Sequence, residues 1–189
     1  MPTWEWILIG VVALVAIVAA VVVISMISFR AKTKRLKQHY GTEYEHVVSE
    51  TGSEKGAVRE LITRERNHGK LDIVALTPSA HSDFSARWQE VQAGFVDNPA
   101  TAVGVADRLV TEVMRQRGYP VDDFDQRAAD ISVEHPQIVD NYRAAHGVHL
   151  SEQQADTEQQ REAFVHYRAL FEKLLETPTD NQASQEASA

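Results

Sequence analysis

The residues best suited to chemistry lie between positions 118 and 149, in a segment rich in aspartate and histidine. Carboxylate oxygens and imidazole nitrogens are ligand types that zinc, manganese and iron accept. The candidates are Asp122, Asp123, Asp125, Asp130, His135, His146 and His149. No HExxH motif, repeated Glu-x-x-His motif or EF-hand loop accompanies them. A metal-dependent hydrolase or metal-binding protein is therefore the alternative hypothesis, and no metal or cofactor is assigned.

The same segment can also be interpreted as a surface that recognises a protein partner. Arg127, Asp130, Asp140 and Arg143 could form ion pairs that order it. An ordinary solvated face would carry the same residues, because exposed pairs contribute only about 0 to 1 kcal/mol. Asp122 and Asp123 also suit a helix cap and first turn. The candidate interaction surface comprises Asp122, Asp123, Asp125, Arg127, Asp130, His135, Tyr142 and Arg143.

Other kinds of catalysis find no support in the sequence. It contains no G-x-S-x-G motif, no P-loop and no glycine-rich phosphate cradle. It also lacks cysteine, which excludes thiol nucleophiles, disulfides and thiolate zinc sites. We therefore expect a non-enzymatic protein and predict no catalytic residue.

An uncharged apolar run near the N-terminus is the strongest structural signal. Residues 7–29 carry no charge, and 15 of these 23 residues are Ile, Leu, Val or Phe. As a helix the run would be about 34 Å long, which matches a hydrocarbon core of about 30 Å. The run is too long for a secretory signal, and no basic residue precedes it. It therefore predicts one transmembrane helix within residues 1–29.

Five basic residues follow the apolar run at once, and we expect them to contact the membrane surface. They are Arg30, Lys32, Lys34, Arg35 and Lys37. The positive-inside rule then places the N-terminus outside and the following domain in the cytoplasm. Anionic lipid head groups are the expected partners of this basic cluster. Small residues at Gly10, Ala13, Ala16 and Ala20 also make a homodimer through the anchor possible, although alanine is common in such helices.

Beyond the basic cluster the chain is acidic. Residues 38–189 hold 14 basic and 26 acidic residues, a formal charge of −12. Such a surface repels phosphates, so nucleic acid is not an expected partner.

Helical periodicity and cap signals recur throughout the remaining sequence. Phe84, Trp88, Val91 and Phe95 form an apolar stripe, and proline follows a capping residue at Thr77 and Asn98. A capping box is predicted at residues 151–154. The predicted fold is all-α: the transmembrane helix, then an irregular bundle of about five or six helices. The predicted divisions are a membrane anchor (1–29), a basic juxtamembrane amphipathic helix (30–52), a soluble helical domain (53–176) and a disordered tail (177–189).

Two stretches carry a resemblance to a known group of proteins. Residues 109–146 (LVTEVMRQRGYPVDDFDQRAADISVEHPQIVDNYRAAH) and 87–103 (RWQEVQAGFVDNPATAV) resemble an uncharacterised family of small, largely actinobacterial membrane proteins. The resemblance extends to the apolar helix and the basic run. It implies a bacterial inner-membrane location and transfers no catalytic residue. The favoured hypothesis is a membrane-tethered interaction or scaffolding module with an unknown protein partner.

Overall fold

The structure is a computed structural model that describes residues 3–151 and 155–176. Within these residues the chain is entirely helical and contains no strand, as predicted. Seven helices follow the first one, compared with the five or six expected. The predicted disordered tail, 177–189, lies outside the described residues. The helices are α1 (Thr3–Tyr40), α2 (Thr42–Thr51), α3 (Glu54–His68), α4 (Pro78–Gly94), α5 (Pro99–Arg117), α6 (Phe124–Glu134), α7 (Pro136–Leu150) and α8 (Thr157–Leu175).

Helix α1 is one uninterrupted element of 38 residues. Its stretch Ala16–Tyr40 is long and apolar enough to cross a membrane, by length and composition. The large apolar side chains described between Leu14 and Ile27 are at least 50% exposed. They are Leu14, Ile17, Val18, Val21, Val22, Val23, Ile24, Met26 and Ile27. No protein surface covers this part of α1 within the described residues.

The C-terminal part of α1 is buried in a small core of its own. Leu36 and Tyr40 pack with residues of α2 and α3, and Phe29 is partly buried against the same cluster. We call this the small core: Leu36, Tyr40, Tyr44, Val47, Ala57, Val58 and Leu61. The sequence predicts a helix running on past the membrane segment, and the structure interrupts it at Gly41. This glycine has φ +53°, a conformation that other residues adopt only at a cost.

Helices α4 to α8 surround a second, larger core. The predicted stripe of α4 faces it: Phe84 and Trp88 are buried, while Val91 and Phe95 are partly buried. Trp88 stacks on Phe171 of α8, with 4.6 Å between the ring centroids. Aromatic pairs of this kind add about 0.5 to 1.5 kcal/mol beyond the area that they bury. We call this cluster the large core.

Most helix starts follow the predicted cap signals. The side chains of Thr77 and Asn98 accept hydrogen bonds from backbone N–H groups three residues on. The capping box predicted at residues 151–154 is wrong. Ser151 ends α7, and the capping box that begins α8 pairs Asp156 with Gln159.

Candidate functional site

A buried carboxylate connects the small core to the large one. Glu43 of α2 is fully buried. Its two oxygens accept hydrogen bonds from Arg143 of α7, at 2.6 and 2.9 Å, and Oε1 also accepts one from Arg64 of α3, at 2.8 Å. Two guanidinium groups thus offset the cost of removing this charge from water. We call these three residues the Glu43 cluster, and it ties α2, α3 and α7 together.

A second polar junction lies at the C-terminal end of α6. His68 of α3 donates to Glu134 Oε1 at 3.1 Å, and the hydroxyl of Tyr119 donates to Glu134 Oε2 at 2.6 Å. His39 of α1 donates to the carbonyl oxygen of Val133 at 2.9 Å. The hydrogen bond from His68, helped by that from Tyr119, outweighs burial and lowers the pKa of Glu134 to about 2. The junction therefore contains a stable carboxylate anion.

A third polar group is embedded in the large core. Asp107 Oδ1 accepts hydrogen bonds from the Tyr167 hydroxyl at 2.8 Å and from His146 Nδ1 at 3.2 Å. Burial would raise the pKa of Asp107, but these two donors outweigh it and lower the pKa. The ring of Phe124 stacks on His146, with centroids 3.8 Å apart. Within the described residues no serine or threonine hydroxyl is hydrogen-bonded to His146, so these residues do not form the arrangement of a base-activated hydroxyl nucleophile.

Half of the residues predicted to form the interaction surface are buried. Arg127, Asp130, His135 and Tyr142 are all buried. Arg127 donates to the Val121 carbonyl and, at 3.2 Å, to the Tyr142 hydroxyl. A partner could not reach these side chains without opening the bundle.

The predicted ion-pair network forms only in part. Asp130 accepts a hydrogen bond from Gln126 at 3.0 Å instead of pairing with Arg127, and burial raises its pKa. The predicted pair of Asp140 with Arg143 is present at 3.2 Å. Arg143 nevertheless makes its two shorter hydrogen bonds to Glu43, whose involvement the sequence reasoning missed.

The predicted acidic residues at the start of α6 are exposed. Asp122, Asp123 and Asp125 all face solvent. Asp123 caps the helix by accepting from the backbone N–H of Gln126 at 2.8 Å. Of the predicted surface, these three carboxylates and the partly exposed Arg143 can reach a partner.

In the part of the chain that the structure describes, no group of side chains forms the ligand set that the metal-binding alternative requires. No three histidine, aspartate or glutamate side chains there converge closely enough to hold a metal ion. His135 lies between α6 and α7, whereas His146 is hydrogen-bonded to Asp107. His146 and His149 are neighbours, with 6.0 Å between their ring centroids, but no third candidate ligand among the described residues completes a metal site with them.

Three residues of these junctions were missed at the sequence level. Glu43 is next to Tyr44, and both are buried residues of α2. A charged residue beside the apolar positions of this helix could have indicated a buried ion pair. Asp107 is a buried residue of α5. Its partners lie 39 and 60 residues further along the chain, and no local pattern predicts such pairings. The same holds for the pairing of Glu134 with His68, 66 residues apart.

The five residues of the basic cluster fall into two groups, those that form ion pairs with α3 and those that do not. Arg35 pairs with Glu65 at 2.7 Å and Lys37 with Glu54 at 2.9 Å, so these two residues attach α1 to α3. Arg30, Lys32 and Lys34 are exposed and form no ion pair within the described residues. Three of the five predicted membrane-surface residues thus keep their charge uncompensated.

The chain was compared with protein-family models, with curated proteins and with solved structures. None of the three comparisons found a match.

Proposed function

We propose that the chain is a single-pass membrane protein that holds a non-enzymatic interaction domain at the cytoplasmic face of the bacterial inner membrane. The observation that carries this proposal is α1. The large apolar side chains described between Leu14 and Ile27 are exposed, and the same helix ends inside the small core. Water would disfavour so large an apolar surface, whereas lipid would cover it.

The connection between the anchor and the domain is a helix rather than a flexible linker. Leu36 and Tyr40 are buried, and the pairs of Arg35 and Lys37 brace α1 against α3. A domain held in this way stays near the bilayer in a fixed orientation. Tethering raises the effective concentration of membrane-bound partners around it.

A scaffolding role agrees with the use of the buried polar groups. The Glu43 cluster, the Glu134 junction and Asp107 each join different helices to one another. Such groups stabilise an arrangement of helices. The exposed carboxylates Asp122, Asp123 and Asp125 are the part of the predicted surface that we propose to contact a protein partner.

The orientation follows from the charges beside the apolar segment. Arg30, Lys32 and Lys34 are exposed immediately after it, and the positive-inside rule assigns that side to the cytoplasm. A reporter fused after Ala189 tests this proposal. We expect activity from a reporter that works only inside the cell. Activity from one that works only outside would overturn the orientation.

Site-specific photo-crosslinking tests the partner-binding role. A photoreactive residue at Asp125 should give a discrete adduct with a protein in intact membranes. Asp97 is a matched control, because it is also an exposed aspartate, has no ion pair with any described residue and lies in the turn between α4 and α5. Equal labelling at both positions, or none at Asp125, would contradict a partner at this surface.

A further inference from the structure

We propose that anionic phospholipid head groups bind in two grooves between α1 and the N-terminal end of α3, with Arg30, Lys34 and Lys55 as the phosphate-binding cations. This inference rests on the proposed membrane location. It adds Lys55, which stands 25 residues beyond Arg30 in the sequence and outside the basic run.

The two grooves are adjacent and share Phe29 and Arg30. The first has a volume of about 440 Å³ and is lined by Ser25, Met26, Phe29, Arg30 and Lys55. The second has a volume of about 480 Å³ and is lined by Phe29, Arg30, Thr33, Lys34, Lys37, Gln38 and Glu54. Both grooves therefore combine apolar side chains from the membrane segment with cations that follow it.

The cations that line the grooves are available for a ligand. Arg30, Lys34 and Lys55 are exposed and have no ion-pair partner within the described residues. The one carboxylate present, Glu54, is already paired with Lys37 at 2.9 Å. The uncompensated charge of the two grooves is thus positive, and an anion would complement it.

The position of Lys55 relative to the membrane segment indicates a lipid. Lys55 shares its groove with Met26, which belongs to the exposed apolar stretch of α1 between Leu14 and Ile27. The N-terminal end of α3 therefore reaches the level at which the apolar segment gives way to charge. A phospholipid there can place its phosphate between Arg30 and Lys55 while its acyl chains extend along Met26. A soluble phosphate would leave that apolar surface uncovered.

The N-terminal end of α3 is also favourable for an anion. Free backbone N–H groups and the helix dipole give helix N-termini a partial positive charge. Ser53 caps one of these groups by accepting from the N–H of Gly56 at 3.1 Å. Lys55 is in the first turn of this 15-residue helix, so its charge and the dipole act in the same direction.

Native mass spectrometry of the full-length protein tests the proposal. The protein would be released from bilayers containing equal amounts of phosphatidylglycerol and phosphatidylcholine, and the lipids that it retains would be counted. We expect preferential retention of phosphatidylglycerol. Lys55→Gln should reduce the preference about fivefold, which corresponds to the usual contribution of one cation near an anionic surface.

Arg59→Gln is the matched control. Arg59 is an exposed residue of the same helix, carries the same charge, pairs with no described acidic residue and does not line either groove. This variant should retain the wild-type preference. If the wild type, Lys55→Gln and Arg59→Gln all retained phosphatidylglycerol and phosphatidylcholine in the same ratio, the proposed head-group site would be refuted. An equal loss in both variants would overturn it too, because a diffuse charge effect would then explain binding.

Alkaline carbonate extraction separates this inference from the proposed function. Wild-type protein that is extracted from membranes would refute the membrane anchor itself. Protein that resists extraction, but whose lipid preference is insensitive to Lys55→Gln, would refute the head-group site alone. Because Lys55 is exposed and unpaired, its substitution should leave the helical circular-dichroism spectrum unchanged.

Discussion

At the scale of single residues, the molecule depends on a few buried polar groups whose hydrogen-bond partners lie on other helices. Glu43 and Asp107 were not predicted, because their partners come from distant helices. Arg127, Asp130 and Tyr142 were predicted to form a surface and instead lie inside. Residue type reveals that a group is polar, whereas tertiary contacts decide whether it is buried.

Replacement of the buried Glu43 with glutamine should be strongly destabilising. The change removes the negative charge and leaves Arg64 and Arg143 facing each other across a neutral amide. Breaking a buried ion cluster typically costs about 3 kcal/mol or more. Thermal or urea unfolding of the detergent-solubilised full-length protein would measure this loss of unfolding free energy.

The exposed Glu45 on the same helix provides the control for this experiment. Glu45→Gln should change the free energy of unfolding by less than about 0.5 kcal/mol. A similarly small effect of Glu43→Gln would mean that the cluster does not link the two cores.

The low pKa of Glu134 predicts a defined dependence of stability on pH. Its folded-state pKa of about 2 lies below the ordinary value of 4.5, so folding favours the ionised form. Glu134 therefore stabilises the protein fully above about pH 4.5, and this contribution disappears as the pH falls towards 2. Near pH 6 we expect the free energy of unfolding of the wild type to be about 2 kcal/mol larger than that of Glu134→Gln. This value is reduced to allow for the partial solvent exposure of Glu134.

Unfolding experiments on both proteins between pH 2 and pH 6 would test this pH dependence. The difference in their unfolding free energies should narrow as the pH is lowered. Glu90 is exposed and forms no ion pair with the described residues, so Glu90→Gln should change the free energy of unfolding only slightly and by the same amount at every pH. A difference for Glu134→Gln that stays constant across this range would contradict the assigned pKa.

At the scale of helices, local sequence signals were reliable. Proline after a capping residue correctly predicted the starts of α4 and α5. The capping box at 151–154 failed because Asp156 and Gln159 offer the same chemistry a few residues later. Local patterns identify the type of an element well, but near-equivalent alternatives shift its boundaries.

Gly118 offers a test at this scale. It has φ +97°, and a Cβ atom there would lie 2.6 Å from the carbonyl oxygen of Asp72. Gly118→Ala should therefore destabilise the protein by about 1 to 3 kcal/mol, through both backbone strain and a clash with a main-chain atom. The midpoint of thermal unfolding would report this effect.

Gly147→Ala is the matched substitution with the opposite expected sign. Gly147 lies within α7, and a Cβ there would meet nothing within 4 Å. Alanine should stabilise the helix by about 0.5 to 1 kcal/mol. If both variants shifted the midpoint in the same direction, the conformation assigned to Gly118 would be wrong.

At the scale of the whole molecule, the notable feature is a membrane-type helix that enters a folded domain directly. The sequence predicted the apolar segment and the all-α class, because both follow from composition and periodicity. It did not predict two separate cores, since their separation depends on how α2 and α3 pack against α7 and α6. Polar contacts such as those of Glu43 and Glu134 link the two cores.

The most direct test of the membrane anchor is to measure the environment of each residue along α1. The chain contains no cysteine, so single cysteines can be introduced from Ala16 to Lys34 and spin-labelled without background. In lipid vesicles, electron paramagnetic resonance compares collisions with oxygen and with a water-soluble nickel complex. We predict oxygen-accessible, nickel-protected labels on every face from Ala16 to Ile27, with the reverse after Arg30. Nickel accessibility that repeats every three to four residues across the apolar segment would mean that one face meets water, and would contradict a membrane-spanning helix.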